Sequence, residues 1–312
     1  MKKFAAVFPG QGSQSVGMFA DLMDEAAVAS TYAEASDALG YDLKDLTLNG
    51  PADELNRTEV TQPAILTASV AAFRLLAERT GAAPAVAAGH SLGEYSALVC
   101  AGSIAFADAV KLVRLRGRAM QEAVPAGQGA MAAVLGVDDD GVEKGCASVR
   151  EKGLKVWAAN FNTPGQVVIS GAKDGVDAAS EYFASNGAKR VVPLAVSAPS
   201  HCPLMQGAAD KLKEALDAIA VKDASFPVYA NFTASPETSA SAIKEALVAQ
   251  LTGPVRWSQT VKAIAQEGVA AFCELGPNRV LSGMLRRIDR SLAACNVCDK
   301  ASLEKAIAAL ND

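Results

Sequence analysis

The sequence predicts an α/β protein, one large doubly wound core interrupted by a small ferredoxin-like subdomain. Three observations predict it. Over the first 126 residues, short apolar runs ending in glycine alternate with longer segments of helical periodicity, the rhythm of a parallel sheet covered on both faces. From 127 to 197 the order becomes strand, helix, strand, strand, helix, strand, that of a split strand-helix-strand unit. A hydrophobic fraction of 50% over 312 residues is enough to bury a substantial core in roughly two domains.

The elements follow in order. KFAAVF at 3–8 is a short apolar run closed by PGQGSQ, a buried strand entering a glycine-rich loop. The two lysines before it resemble a signal-peptide start, but Pro9-Gly10 breaks the apolar run too soon. QPAILTASVAAFRLLAER at 62–79 carries apolar residues at helical spacing and reads as a helix. PAVAAG is a second strand, followed by a turn and a helix from about Leu92, and FADAVKLVRLRGRAMQEAV at 106–124 is another helix. MAAVLGV, DDDGVEKGCASVREKG, LKVWAAN, QVVISG, KDGVDAASEYFASNG and AKRVVPLAV then supply the six elements of the subdomain. The core resumes with SFPVYAN, a helix at 239–251 and AAFCELG. The expected division is therefore 1–126 with 198–312 for the core, and 127–197 for the subdomain.

Composition excludes several classes of function. A net charge of −5 with 20% charged residues argues against a general nucleic-acid surface, which needs dense Lys and Arg. No run approaches about 20 consecutive apolar residues, so no membrane span is expected and the protein reads as cytoplasmic. The six cysteines are scattered along the chain, the pattern of reduced thiols rather than of a disulfide framework. Cys295-Asn-Val-Cys298 lacks the second pair or nearby histidine that a zinc site requires, and no metal is expected.

Gly89-His-Ser91-Leu-Gly93 fits a nucleophile elbow, a sharp strand-to-helix turn that exposes a serine hydroxyl above the sheet. The turn needs small residues two before and two after the serine. A plain strand-to-helix turn would show the same pattern. A serine hydroxyl needs a neighbouring base, and the chain has two histidines, His90 and His201. His90 adjoins the serine in a tight turn and supports the loop. His201, between Pro199 and Pro203, is the available base. One oxyanion donor is then the amide of Leu92, the residue after the nucleophile. The other comes from PGQGSQ, where Gln11 sits between two glycines. A dinucleotide fingerprint in that loop would require glycine at 15, which is Ser15.

On the 106–124 helix, Phe106, Ala109, Val110, Leu112, Val113 and Met120 share one apolar stripe, while Lys111, Arg114 and Arg118 lie opposite. Arg116 falls inside the stripe. A buried guanidinium left without a partner costs about 3–5 kcal/mol, so it must meet a carboxylate. That acid is either one of the protein's own or the free carboxylate of a substrate, gripped through two parallel hydrogen bonds.

Seven stretches stand in one order along the chain: FPGQGSQ at 8–14, TQPAILTAS at 61–69, GHSLGEYSAL at 89–98, RLRG at 114–117, NFNTPGQVVISG at 160–171, SAPSH at 197–201 and the region Gln250 to Trp257. With them the chain resembles the malonyl-CoA:acyl-carrier-protein transacylase family of fatty-acid biosynthesis. The resemblance implies a hydrolase-like core with a ferredoxin-like subdomain, an acyl-serine on Ser91, His201 as base, and an oxyanion hole from the amides of Gln11 and Leu92. It further implies that Arg116 binds the malonyl carboxylate, that Gln62 and Asn160 line the pocket, and that a main-chain carbonyl at Gln250 orients the histidine. Malonyl-CoA and acyl carrier protein are the implied partners, without cofactor, nucleic acid or membrane, and the chain is expected to be a monomer. An esterase or thioesterase would use the same elbow with water as acceptor, and a carrier-protein docking module would form no acyl-serine. Lys189-Arg190 and Arg286, Arg287 and Arg290 are the basic residues able to meet an acidic carrier protein.

Overall fold

The apolar run FAAVF is buried at every position, as expected of a strand inside a parallel sheet whose two faces are both covered. The computed structural model describes residues 2–196 and 198–311. Met1, Ser197 and Asp312, which stand at limits of the expected segments, lie outside the described residues, and Ser197 also opens the SAPSH motif.

In chain order the strands are β1 (Phe4–Phe8), β2 (Val86–Gly89), β3 (Gly129–Leu135), β4 (Val156–Thr163), β5 (Gln166–Ala172), β6 (Arg190–Pro193), β7 (Val228–Tyr229), β8 (Pro236–Glu237), β9 (Ala271–Leu275) and β10 (Ala293–Val297). They form a six-stranded sheet in the order β10-β9-β1-β2-β7-β8 and a four-stranded sheet in the order β4-β5-β3-β6. In the larger sheet β10, β9, β1, β2 and β7 are parallel, and β8 closes the edge antiparallel. From β1 the chain steps outward through β2 to β7, then returns to β9 and β10 on the other side of β1. That reversal makes β1 the switch point of the sheet, and the crevice it opens lies beyond the carboxyl ends of the strands. The loops after β1 and β2 border it.

The helix Thr58–Thr80 begins at Thr58, four residues before the periodicity suggested, and carries Pro63 in its second turn. The polar first turn has no apolar spacing to announce it, and a proline inside a helix gives up one backbone hydrogen bond. This helix is long and apolar enough to cross a membrane by composition, yet 83% of its apolar window is buried within the protein. It is the central core helix. It packs on Phe106–Glu122, where a Cβ on Gly117 would lie 2.6 Å from the Thr58 carbonyl oxygen. Glycine at that position permits the close approach. On Phe106–Glu122 the apolar stripe is buried together with Arg116, and Lys111, Arg114 and Arg118 are exposed.

Strands β3 to β6 pair antiparallel throughout, with the helices Asp139–Arg150 and Lys173–Ser185 in the order read from the sequence. Val134, Val142, Cys146, Phe161, Ile169 and Phe183 fill the core between this sheet and its helices. The subdomain joins the larger core where Phe161 N–H donates to the Val255 carbonyl (2.9 Å) and Val255 N–H to that of Ala159 (2.8 Å). β4 thereby sets its residues Asn160 and Asn162 against the mouth of the larger sheet. The six cysteines are free thiols.

The turn after β2 is tight enough that a Cβ on Gly89 would lie 1.9 Å from the Gly93 carbonyl carbon. Gly89→Ala is expected to cost at least about 3 kcal/mol of folding stability, measured by chemical denaturation. Wild-type stability would show that the backbone yields at this turn.

Candidate active site

Ser91 stands between the end of β2 and the helix Gly93–Cys100 with φ 52°, a left-handed conformation that costs a residue with a side chain of order 1–3 kcal/mol. Three hydrogen bonds hold it there. Its own N–H donates to Asn231 Oδ1 (2.6 Å), Asn231 Nδ2 donates to the Gly89 carbonyl (2.6 Å), and Gln250 Nε2 donates to the Ser91 carbonyl (2.9 Å). Asn231 follows β7, the neighbour of β2 in the sheet, so its side chain bridges the turn from the adjacent strand. His90 points away from the hydroxyl. Its Nε2 meets Asn162 Oδ1 at 2.8 Å and its ring packs 5.9 Å from that of Trp257.

His201, likewise left-handed at φ 61° and 3% exposed, places Nε2 2.8 Å from Ser91 Oγ. Its Nδ1 lies 2.8 Å from the main-chain oxygen of Gln250. A carbonyl can only accept, so Nδ1 carries the proton and the Nε2 lone pair faces the hydroxyl. Burial and the Arg116 charge hold the imidazole well below its usual range, at about 3. It is therefore neutral near pH 7, the form that can accept a proton from serine.

Arg116 is 1% exposed and donates from Nη1 to Gln62 Oε1 (2.9 Å), and from Nη2 to Ser91 Oγ (3.1 Å) and Gln250 Oε1 (2.9 Å). The Tyr95 ring covers it at 5.3 Å. Among the described residues no carboxylate forms an ion pair with it. Of the two partners open to it from sequence, the protein's own acid is thus not in contact. The guanidinium rests on neutral oxygens.

A cleft of about 580 Å³ is lined by Gln11, Ser91, Leu92, Arg116, Asn160 and His201. The amides of Gln11 and Leu92 donate to no protein acceptor among the described residues, which leaves both available to an oxyanion. Asn160 reaches the cleft from β4. Gln62, expected to line it, is instead fully buried behind the guanidinium. The first residue of its helix, Thr58, does line the cleft, but Gln62 lies a turn further in and supports Arg116 from behind.

Sequence reading assigned no role to Glu94, Asn162 or Asn231. Glu94 accepts from Asn231 N–H (2.9 Å) and Gln250 Nε2 (2.8 Å), and burial pushes its pKa up to about 7. A charge within the otherwise apolar GEYSALVC segment is the signal that singled out Arg116, and it applies equally to Glu94. Nothing local marks Asn231, whose role depends on which strand neighbours β2.

The family model for the acyl transferase domain matches residues 6–306. The malonyl CoA-acyl carrier protein transacylase of Escherichia coli strain K12 is 52% identical over 308 residues, covering 98% of this chain and 99% of that protein. Among solved structures, the malonyl CoA-acyl carrier protein transacylase of Coxiella burnetii superposes with TM-score 0.97 at 44% identity, covering 100% of this chain and 98% of that one. A malonyl-transacylase in complex with its holo type II PKS acyl-carrier protein gives 0.96 at 52% identity, covering 99% of this chain and 100% of that one. With matches running nearly end to end at these identities, the chain belongs to the acyl transferase domain family, among its malonyl CoA-acyl carrier protein transacylases.

Proposed function

We propose that this chain moves a malonyl group from malonyl-CoA to the phosphopantetheine thiol of acyl carrier protein through a malonyl-serine on Ser91. The observation that carries this reading is Arg116: a buried cation, in contact with no carboxylate among the described residues and 3.1 Å from Ser91 Oγ. An acyl group bound to that oxygen and ending in a carboxylate would complete the guanidinium's missing ion pair.

In the first half-reaction Ser91 Oγ attacks the thioester carbonyl carbon while His201 Nε2 accepts the hydroxyl proton. The amides of Gln11 and Leu92 hold the oxyanion. The C–S bond then breaks, and the imidazolium returns its proton to the departing coenzyme A sulfur. In the second, the carrier-protein thiol gives its proton to His201 and attacks the malonyl-serine ester. The tetrahedral intermediate collapses and expels Ser91 Oγ, which takes its proton back from the His201 imidazolium. The Gln250 carbonyl keeps Nδ1 protonated throughout, which is how the histidine is oriented without an acid. Asn160 borders the acyl group from β4. On this reading the chain acts in the cytoplasm, and because one chain supplies every group named the chemistry needs no second copy, in keeping with a monomer.

For docking of an acidic carrier protein the candidates are Arg190, Arg286 and Arg287, all of them exposed. Arg287 Nη1 donates to Gln166 Oε1 (2.9 Å), Gln166 pairs with Leu135, and Leu135 pairs with Arg190. Two basic stretches distant in sequence are thus linked through one row of paired residues running across β5, β3 and β6.

Ser91→Ala is expected to abolish covalent labelling by radioactive malonyl-CoA, and label retained on the variant would overturn the acyl-serine. Arg116→Ala should lower kcat/KM for malonyl-CoA by about a hundredfold, the scale for losing one partner of a buried charge pair, and relax preference toward acetyl-CoA. The same change removes a charge that depresses the His201 pKa. The acid limb of the rate of serine modification by a sulfonyl fluoride should therefore move to higher pH, and an unmoved limb together with an unchanged malonyl-to-acetyl ratio would refute the clamp. Charge reversal at Arg286 and Arg287 should raise KM for the carrier protein by roughly tenfold or more, because like charges set against an acidic partner slow its encounter and oppose its docking, and leave serine malonylation intact; an unaltered KM would remove that surface.

A further inference from the structure

Arg116 is not the only charge buried in this site. Glu94, 2% exposed, lies nearby without touching it, and the side-chain amide of Gln250 joins the two. Gln250 Nε2 donates to Glu94 Oε2 (2.8 Å), and Gln250 Oε1 accepts from Arg116 Nη2 (2.9 Å). The amide thus sets its positive end on the carboxylate and its negative end on the guanidinium. Flipping it would oppose like dipoles at both ends, so Glu94 fixes which way Gln250 faces. The second donor on Glu94, Asn231 N–H, fixes the carboxylate in turn.

Two requirements meet at this arrangement. A guanidinium out of water is costly unless a negative charge lies close, yet a carboxylate bonded directly to it would occupy the position of an acidic substrate. A counter-charge one amide away satisfies both. Building on the reading of Arg116 as the clamp for the substrate carboxylate, we propose that Glu94 is a specificity-determining residue. It supplies the relayed counter-charge that steadies the empty clamp and, by like-charge repulsion, limits how tightly an acid-bearing acyl group is held. Removing that charge while keeping the shape of the side chain should tighten the grip on malonyl groups and leave neutral acyl groups without a matching gain.

Glu94→Gln keeps the size of the side chain and an oxygen to accept both hydrogen bonds. Above the pKa of about 7 to which burial pushes Glu94, the variant should show a malonate inhibition constant about tenfold lower than wild type, as expected for one unit charge at intermediate range in a partly polarisable site. Its ratio of malonyl to acetyl transfer should rise by a similar factor. The ratio comes from a single preparation, so any loss of folded protein cancels. Glu94→Asp retains the charge and should keep the wild-type ratio even where absolute rates fall. A ratio unchanged in Glu94→Gln, weaker malonate binding, or an equal gain in both variants would overturn the role of Glu94. Arg116→Ala separates this outcome from failure of the clamp itself. If that variant keeps its malonyl preference, the underlying reading fails; if it loses the preference while Glu94→Gln leaves the ratio unmoved, only the inference about Glu94 fails.

Discussion

A guanidinium almost wholly removed from water, beside a serine hydroxyl, is the constraint around which this site is built. Burial disfavours the charged form of Arg116, and every polar neighbour bears on that cost. Gln62 and Gln250 turn amide oxygens toward it, Tyr95 offers the face of its ring, and Glu94 stands behind Gln250. The same charge acts on His201, helping to hold its imidazole neutral. One residue thus prepares the base and, on the proposed reading, waits for the substrate acid.

Gln250 links these parts. Its main-chain oxygen fixes the tautomer of His201, its side-chain oxygen meets Arg116, and its side-chain nitrogen binds both the Ser91 carbonyl and Glu94. An aspartate opposite His201 Nδ1 would put a full negative charge among groups already balanced by Glu94. A carbonyl orients the imidazole with only a partial charge. Asn231 completes the frame by bridging Gly89 and Ser91, so the strain of a left-handed serine is carried by a buried side chain from the next strand.

The two sheets divide the work according to their topology. Parallel strands around β1 bring the Gln11 loop and the Ser91 elbow to the same crevice because both follow strands at the switch point. The smaller antiparallel sheet lends Met131, Asn160, Asn162 and Val168 to the opposite wall of the cleft. With Leu194, Val196 and Val280 exposed at the mouth, the cleft passes from an apolar rim to one buried cation.

Much of this was legible in the chain itself, because local periodicity and turn chemistry act over a few residues. The alternation of strands and helices, the order of elements in the split unit, the glycines around Ser91 and the inward position of Arg116 each follow from spacing that a single segment contains. The start of the helix at Thr58 was not legible, since its first turn is polar and packing rather than periodicity makes it helical. Nor was the place of Gln62 behind Arg116, the bridge made by Asn231, or the relay from Glu94 through Gln250 to the guanidinium. Each of those depends on which side chains meet across elements far apart in sequence, as Asn231 reaches Ser91 across 140 positions. The sequence by itself determined the parts and their chemistry; only the tertiary structure decided that the buried charges are joined through an amide rather than in contact, because that separation is set by how strands β2 and β7 and the helices around them pack.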